Sequence, residues 1–188
     1  MKRFTALLLA LSLGVLAVTA CSKNASSGTA EIKPIDGKSL SDVITAVDAK
    51  FAEKHGADYT AVAMGMPIDA QYITDFLGVN AADVEEYAGS VSMSMTNSDA
   101  FFGIKAKSDK VDILKAALDQ RRQDLIAQYE RYPVNGSYER AQAGEVYQKG
   151  NYLFLIVVGY MPDHDGAALD FAPDVTLVKQ TIDSQFTA

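Results

Sequence analysis

The sequence predicts an α+β fold, a two-layer sandwich of about four antiparallel strands in two hairpins, with helices mainly on one face. Apolar residues recur at helical spacing in three segments, residues 39–55, 108–131 and 173–182. Two pairs of strand-like segments are each joined by a short turn, which favours antiparallel pairing. Because the apolar sides of the helices need a common sheet face to cover, we expect two layers.

The first half of the domain predicts a helix, a short helix and a strand. Ser39 is an N-cap residue with Asp42 three positions later, a short-armed capping box for the first helix. The short helix begins after Asp69 and ends at Gly78. Residues 90–96 alternate small hydroxylated side chains with apolar ones, which is the period of a half-exposed strand.

The second half predicts a long helix between two strand pairs. Residues 100–107 pair with the preceding strand as the first hairpin, and the long helix follows over 108–131. The second hairpin pairs 141–148 with 151–159, the most hydrophobic stretch after the N-terminal segment. Pro173 stands in the first turn of a last helix.

The N-terminus has the features of a lipoprotein signal peptide. A basic start is followed by an apolar run that is too short for a comfortable membrane helix. Val18-Thr19-Ala20-Cys21 resembles the bacterial lipobox, in which cleavage leaves a lipid-modified cysteine as the new N-terminus. The alternative is an ordinary secretory signal with a cysteine nearby by chance. We predict a signal peptide at 1–20, lipidation at Cys21, a flexible tether at 21–38 and a single domain at 39–188.

Charge and cysteine content restrict the partners. Cys21 is the only cysteine, so a lipidated Cys21 leaves no thiol for disulfides, thiolate metal sites or nucleophilic catalysis. The formal net charge is −7, which disfavours binding to nucleic-acid phosphates. We therefore expect no nucleic acid partner. The expected partners are the membrane, through lipid on Cys21 at the extracytoplasmic face, and an unknown protein or small ligand.

Catalytic signatures are few, and the sequence predicts no catalytic residue and no cofactor. His55 and His164 are the only histidines, and the phosphate-binding, dinucleotide-binding and nucleophile-elbow motifs are missing from the sequence. His55 stands at a helix end, where the helix dipole favours a cation. Asp163-His164-Asp165-Gly166 resembles the opening of a calcium loop without its later carboxylates, so a polar turn is the better interpretation.

Arg121 and Arg122 are candidate pocket residues on the long helix. At 100° per residue Arg122 lies near the middle of the apolar face and Arg121 at its border. One interpretation is that their stems cover the core while their charged heads reach water. The other is that the guanidinium groups are themselves cations held over a pocket.

Methionine supplies the candidate metal ligands. Met64 with Met66, and Met93 with Met95, each place two thioethers two residues apart on an extended segment. Thioethers select Cu(I). Because no histidine or cysteine joins these pairs, we prefer the interpretation that the methionines fill the core beneath the helices.

Together these features resemble the DUF4358 family of bacterial lipoproteins. The resemblance implies a cell-surface lipoprotein of Gram-positive bacteria with no assigned activity, and it supplies no catalytic residue. It rests on the Cys21 lipobox, the Met66-Pro67 turn after the first helix, Asp99–Lys107, Arg121 in the long helix, Tyr132-Pro133 and Gly150-Asn151-Tyr152.

Three functions are therefore open. The first is a lipid-anchored, non-enzymatic binding or interaction module outside the cell, which the leader, the tether and the missing catalytic set favour. The second is a hydrolase acting on envelope material, which would need a deep pocket of convergent polar groups. The third is a protein that binds metal through methionine.

Overall fold

The structure is a computed structural model that describes residues 32–161 and 169–187. The predicted signal peptide, Cys21 and the turn at residues 163–166 lie outside the described residues, so their roles stay predictions. Among the residues that the structure describes, no helix has both the length and the hydrophobicity that a membrane span requires.

An antiparallel sheet of five strands forms the centre of the described domain, in the order β1-β2-β3-β5-β4. The strands are β1 (Gly65–Pro67), β2 (Val84–Ser92), β3 (Ala100–Ala106), β4 (Glu145–Lys149) and β5 (Tyr152–Val157). The α-helices are α1 (Leu40–His55), α2 (Ala70–Leu77), α3 (Val111–Glu130), α4 (Ser137–Ala143) and α5 (Ala172–Ser184).

The α+β class and both hairpins are confirmed, because β2 pairs with β3 and β4 pairs with β5, all antiparallel. The sheet has five strands rather than about four. Met66, which the sequence places in a turn, pairs with Val91 and adds the edge strand β1 to the sheet. The residues before Gly144 form α4, so the fourth strand begins later than the sequence indicates.

Helices cover both faces of the sheet, which corrects the expectation of two layers with helices mainly on one face. On β5, Leu153 and Leu155 join the core beneath α2, α3 and α4. Phe154 and Ile156, which alternate with them, join the core beneath α1 and α5. Because β5 is apolar on both faces, each face needs its own helical cover.

Side-chain caps fix the starts of two helices. Ser39 Oγ accepts from the Asp42 backbone N–H, and Asp42 Oδ2 accepts from the Ser39 backbone N–H at 2.9 Å, so the predicted capping box is present. Asp69 Oδ1 accepts from the Tyr72 N–H at 2.7 Å and begins α2. Gly78 ends that helix in the left-handed conformation at φ 67°. Asp69 and Gly78 bound α2, from which Tyr72 packs against Phe102 of the sheet.

Residues 32–38 lie against the C-terminal end of the chain. The N–H of Ile35 donates to the Gln185 carbonyl at 2.8 Å, and the N–H of Thr187 donates to the Lys33 carbonyl at 2.9 Å. The described domain therefore includes this part of the segment that the sequence places in the tether.

Asp174 joins α1 and α5, the two helices that cover the same face of the sheet. Its Oδ1 accepts from Lys54 Nζ at 2.6 Å and lies 2.8 Å from His55 Nε2, both at the end of α1. Its Oδ2 accepts from the Tyr160 backbone N–H at 2.7 Å. Burial alone would raise the pKa of Asp174, but these hydrogen bonds outweigh burial and lower it.

Asp174→Asn is expected to lower the free energy of unfolding at pH 7 by about 2–3 kcal/mol, because the carboxylate is the shared acceptor for two basic side chains. Since the pKa of Asp174 is lower in the folded state than its unfolded value of about 3.9, this contribution is present above that value. It is lost as the pH falls through the folded pKa. Urea denaturation at pH 7 and pH 3 measures both effects, and the difference between variant and wild type should shrink at pH 3.

The matched control is Asp119→Asn, which removes an exposed ion pair with Lys115. This variant should cost less than about 0.5 kcal/mol. A loss from Asp174→Asn no larger than that of the control would contradict the role assigned to Asp174.

Candidate functional site

A buried ionic group lies at the end of the sheet where residues 93–99 connect β2 to β3. Arg140 on α4 is 4% exposed and Asp99 is 8% exposed. Arg140 Nε lies 3.1 Å from Asp99 Oδ1 and donates to the Gly159 carbonyl at 3.2 Å, while Nη1 donates to Asn97 Oδ1 at 3.0 Å. The guanidinium also stacks 4.8 Å from the ring centre of Phe171. We call Asn97, Asp99, Arg140 and Phe171 the Arg140 cluster.

The charge of Asp99 depends on Arg140. Burial raises the pKa of Asp99, and the charge of Arg140 and a hydrogen bond from the Asn97 side chain offset only part of the increase. In the described part of the chain, Oδ1 of Asp99 accepts no hydrogen bond. Its carboxylate is therefore compensated mainly by the nearby positive charge of Arg140.

Hydrogen bonds from α3 and to α4 hold the connection between β2 and β3. Tyr129 on α3 donates its hydroxyl hydrogen to the Asn97 carbonyl at 2.7 Å. Ser98 donates to the Ser137 carbonyl of α4 at 2.7 Å. These contacts fix the backbone around Asn97, so the side chains that this connection presents have a defined support.

A pocket of about 250 Å³ lies beside the Arg140 cluster, between α2, α3 and the end of β2. The rings of Tyr72 and Phe76 stack with centroids 5.0 Å apart on one side of it. We call it the Tyr72 pocket. Its remaining lining residues are Met66, Val91, Ser92, Met93, Ser94, Met95, Asn97, Ser98, Asp99, Arg121, Leu125, Gln128 and Tyr129.

A second pocket of about 560 Å³ adjoins the first and shares Met93 and Asn97 with it. Met64, Met161 and Arg140 also line it. We call it the Met161 pocket. The two pockets together form one continuous surface around the end of the sheet.

All five methionines of the described residues line these two pockets, and they are not core residues. Met64 is 95% exposed, Met95 is 84% exposed and Met93 is 65% exposed. The interpretation that they fill the core is wrong. Strand β2 ends at Ser92, so the alternating pattern continues into a connection that turns its apolar side chains outward. Met66 and Met161 are less exposed but still open to solvent.

The structure separates the two candidate arginines. Arg121 lines the Tyr72 pocket, where its Nε donates to the Tyr72 hydroxyl at 3.2 Å and its guanidinium lies 5.5 Å from the Phe76 ring centre. Arg122 donates to the main-chain carbonyls of Gly144 and Gln142, where α4 gives way to β4. Arg121 is therefore a pocket residue, and Arg122 supports the fold.

Sequence reasoning missed Asn97, Asp99 and Arg140 as members of one cluster. Asp99 opens a segment on which the family resemblance rests, and that was the available signal. Arg140 lies on a helix of two turns, which is too short to show an amphipathic period. His55 is elsewhere, where its Nε2 lies 2.8 Å from Asp174 Oδ1.

A comparison with known protein families finds a match for the part of the chain that contains the Tyr72 pocket. Residues 57–158 match the family described as Domain of unknown function (DUF4358). The chain belongs to the DUF4358 family. The DUF4358 match contains every residue that lines the Tyr72 pocket, whereas α1 and α5 lie outside it. No curated protein and no solved structure matches the chain.

Arg140→Met is expected to lower the free energy of unfolding by about 3–5 kcal/mol, because it leaves Asp99 buried without its cation. The double variant Asp99→Asn with Arg140→Met should recover part of this loss, since it removes the uncompensated charge. Urea denaturation of wild type, both single variants and the double variant gives the coupling energy.

Arg131→Met is the control, because Arg131 is exposed after the end of α3. A loss below about 1 kcal/mol for Arg140→Met, or a double variant no more stable than Arg140→Met, would contradict this account of the cluster.

Proposed function

We propose that this DUF4358 protein is a lipid-anchored extracytoplasmic module that binds an apolar ligand in the Tyr72 pocket. The observation that carries the proposal is the group of exposed apolar side chains around a preformed pocket. Phe76, Met93 and Met95 are each more than half exposed and line this pocket. Large exposed apolar groups that gather at one place are typical of binding surfaces.

Methionine suits such a surface because its side chain is unbranched and polarizable, so it adapts to ligands of different shape. The hydrogen bonds of Tyr129 and Ser98 hold the backbone at Asn97 and Ser98, in the same connection as Met93 and Met95. Flexible side chains on a fixed backbone allow the pocket to adjust to a ligand without ordering a loop, which would cost conformational entropy.

The lipid anchor is supported by the leader and by Cys21. A diacylglycerol and a third acyl chain on Cys21 would bury many methylene groups, each contributing about 0.8 kcal/mol to membrane binding. The ligand-binding domain would then stay at the membrane surface at the end of its tether.

Binding is favoured over hydrolysis by the groups that line the Tyr72 pocket. Its ionisable members among the described residues are Tyr72, Asp99, Arg121 and Tyr129. The Tyr72 hydroxyl accepts a hydrogen bond from Arg121. Asp99 is paired with Arg140, and the Tyr129 hydroxyl donates to a main-chain carbonyl. Burial raises the pKa of Tyr129, so its hydroxyl is a poor base near neutral pH.

A second candidate function is Cu(I) binding, which one backbone feature favours. Met64 has a φ of 50°, an uncommon conformation for a bulky residue, and its side chain is almost fully exposed beside the Met161 pocket. Met64, Met93 and Met161 would supply three thioethers, which are soft ligands that select Cu(I).

In a bacterial host, Cys21→Ala is expected to abolish lipidation and to leave the leader uncleaved. Wild type should partition into the detergent phase of Triton X-114 and carry a lipid on its first residue by mass spectrometry. Ser22→Ala, at the next position, should behave as wild type. A Cys21→Ala variant still held in the membrane after leader removal would contradict the anchor.

The methyl NMR signals of the methionines distinguish the two candidate ligands. In residues 21–188 carrying Cys21→Ser, the neutral apolar dye N-phenyl-1-naphthylamine should shift Met66, Met93 and Met95 and leave Met64 unshifted. Cu(I) binding would instead shift Met64, Met93 and Met161 together. Dye that shifts none of these signals would contradict the proposed function, and unshifted signals at excess Cu(I) would remove the second candidate.

Matched variants extend the same experiment. Met93→Gln should weaken the affinity for the dye about fivefold, because it replaces an apolar side chain of the pocket lining by a polar one. Met64→Gln, which lies outside the Tyr72 pocket, should leave the affinity unchanged.

A further inference from the structure

Arg121 brings a positive charge to the Tyr72 pocket without a carboxylate to balance it. Its guanidinium is partly buried, and its protein contacts are the Tyr72 hydroxyl and the Phe76 ring. Among the described residues it forms no ion pair. Arginine has five N–H donors in a planar fork, so one hydrogen bond to a tyrosine leaves donors available for a ligand.

The nearby carboxylates of α2 and α3 have other partners. Asp119 pairs with Lys115, and Asp124 accepts from Gln120 at 2.8 Å. Asp75 on α2 accepts from Gln71 at 3.1 Å. A partly buried cation without an ion pair in an apolar pocket can accept a negative group from a ligand.

We propose that the Tyr72 pocket binds a small amphipathic carboxylate, with its carboxylate on Arg121 and its apolar body against Met66, Met93 and Leu125. This inference rests on the proposed function and names the class of ligand. A guanidinium fork matches a carboxylate with two parallel hydrogen bonds. The volume of about 250 Å³ accommodates an apolar body of about ten carbon-sized groups.

The charges of the pocket favour a singly charged anion over a dianion such as a phosphate monoester. Arg121 is the only cationic side chain among the described residues that line it. Asp99 lines the same pocket, but Arg140 beside it compensates its carboxylate, so Arg121 is the cation that remains for a ligand. One carboxylate balances Arg121 without adding an excess charge.

The experiment compares three probes with alkyl chains of about nine or ten carbons on residues 21–188 carrying Cys21→Ser. Isothermal titration calorimetry with decanoate, decanamide and decyltrimethylammonium, all below their micelle concentrations, measures the effect of head-group charge. Decanoate should bind tightest and the cation weakest. Arg121→Gln should weaken the affinity for decanoate about tenfold to a hundredfold and leave the affinity for decanamide unchanged. Arg121→Lys should recover part of the lost affinity for decanoate. Arg131→Gln, an exposed arginine outside the pocket, should match wild type.

Methionine methyl spectra of each variant show that the pocket is intact before the comparison. Equal affinity for decanoate and decanamide, or an Arg121→Gln variant that binds decanoate as wild type does, would overturn the inference. The proposed function would survive either result if the neutral dye and decanamide still bind. Failure of decanoate, decanamide and the dye to bind would overturn both.

Discussion

The buried pair of Arg140 and Asp99 is the interaction on which this end of the molecule depends. Two charges out of water are tolerated only when geometry and hydrogen bonding compensate for lost hydration. Here Arg140 reaches the connection between β2 and β3 through Asn97 and the end of the sheet through Gly159. Its stacking on Phe171 extends the contact to the residue before α5. A side chain at Gly159 would overlap the Phe171 ring, so the close approach requires glycine. One side chain thus joins both helical layers.

This arrangement reverses the usual distribution of polar and apolar side chains. Charged groups are typically exposed and methionines typically buried. At this end of the sheet the ionic cluster lies inside, and Met93 and Met95 lie outside. Stability alone would favour the opposite arrangement, and the proposed ligand would account for the exposed methionines. The tyrosine and arginine of the same pocket would add the polar contacts that orient the proposed ligand.

The sequence was informative wherever a local signal determined the structure. The Ser39 capping box, the long helix and the two hairpins follow from periodicity and cap residues within a few positions. It was uninformative wherever contacts between residues far apart in the sequence determine the structure. Helical spacing placed Arg121 and Arg122 beside one apolar face, but it could not show that only Arg121 meets Tyr72. The alternation around Met93 predicted a strand beyond Ser92, where β2 ends, because turn and strand patterns look alike over so few residues.

The most direct test of the account is the rate at which each methionine is oxidised by dilute hydrogen peroxide in the native protein, followed by mass spectrometry. The account predicts that Met64 and Met95 react nearly as fast as in the unfolded chain. Met66 and Met161 should react more slowly, and Met93 should have an intermediate rate, in line with their exposure. Oxidation of the methionines only after urea unfolds the domain would show that they lie in the core. That result would contradict the proposal that they form an exposed binding surface.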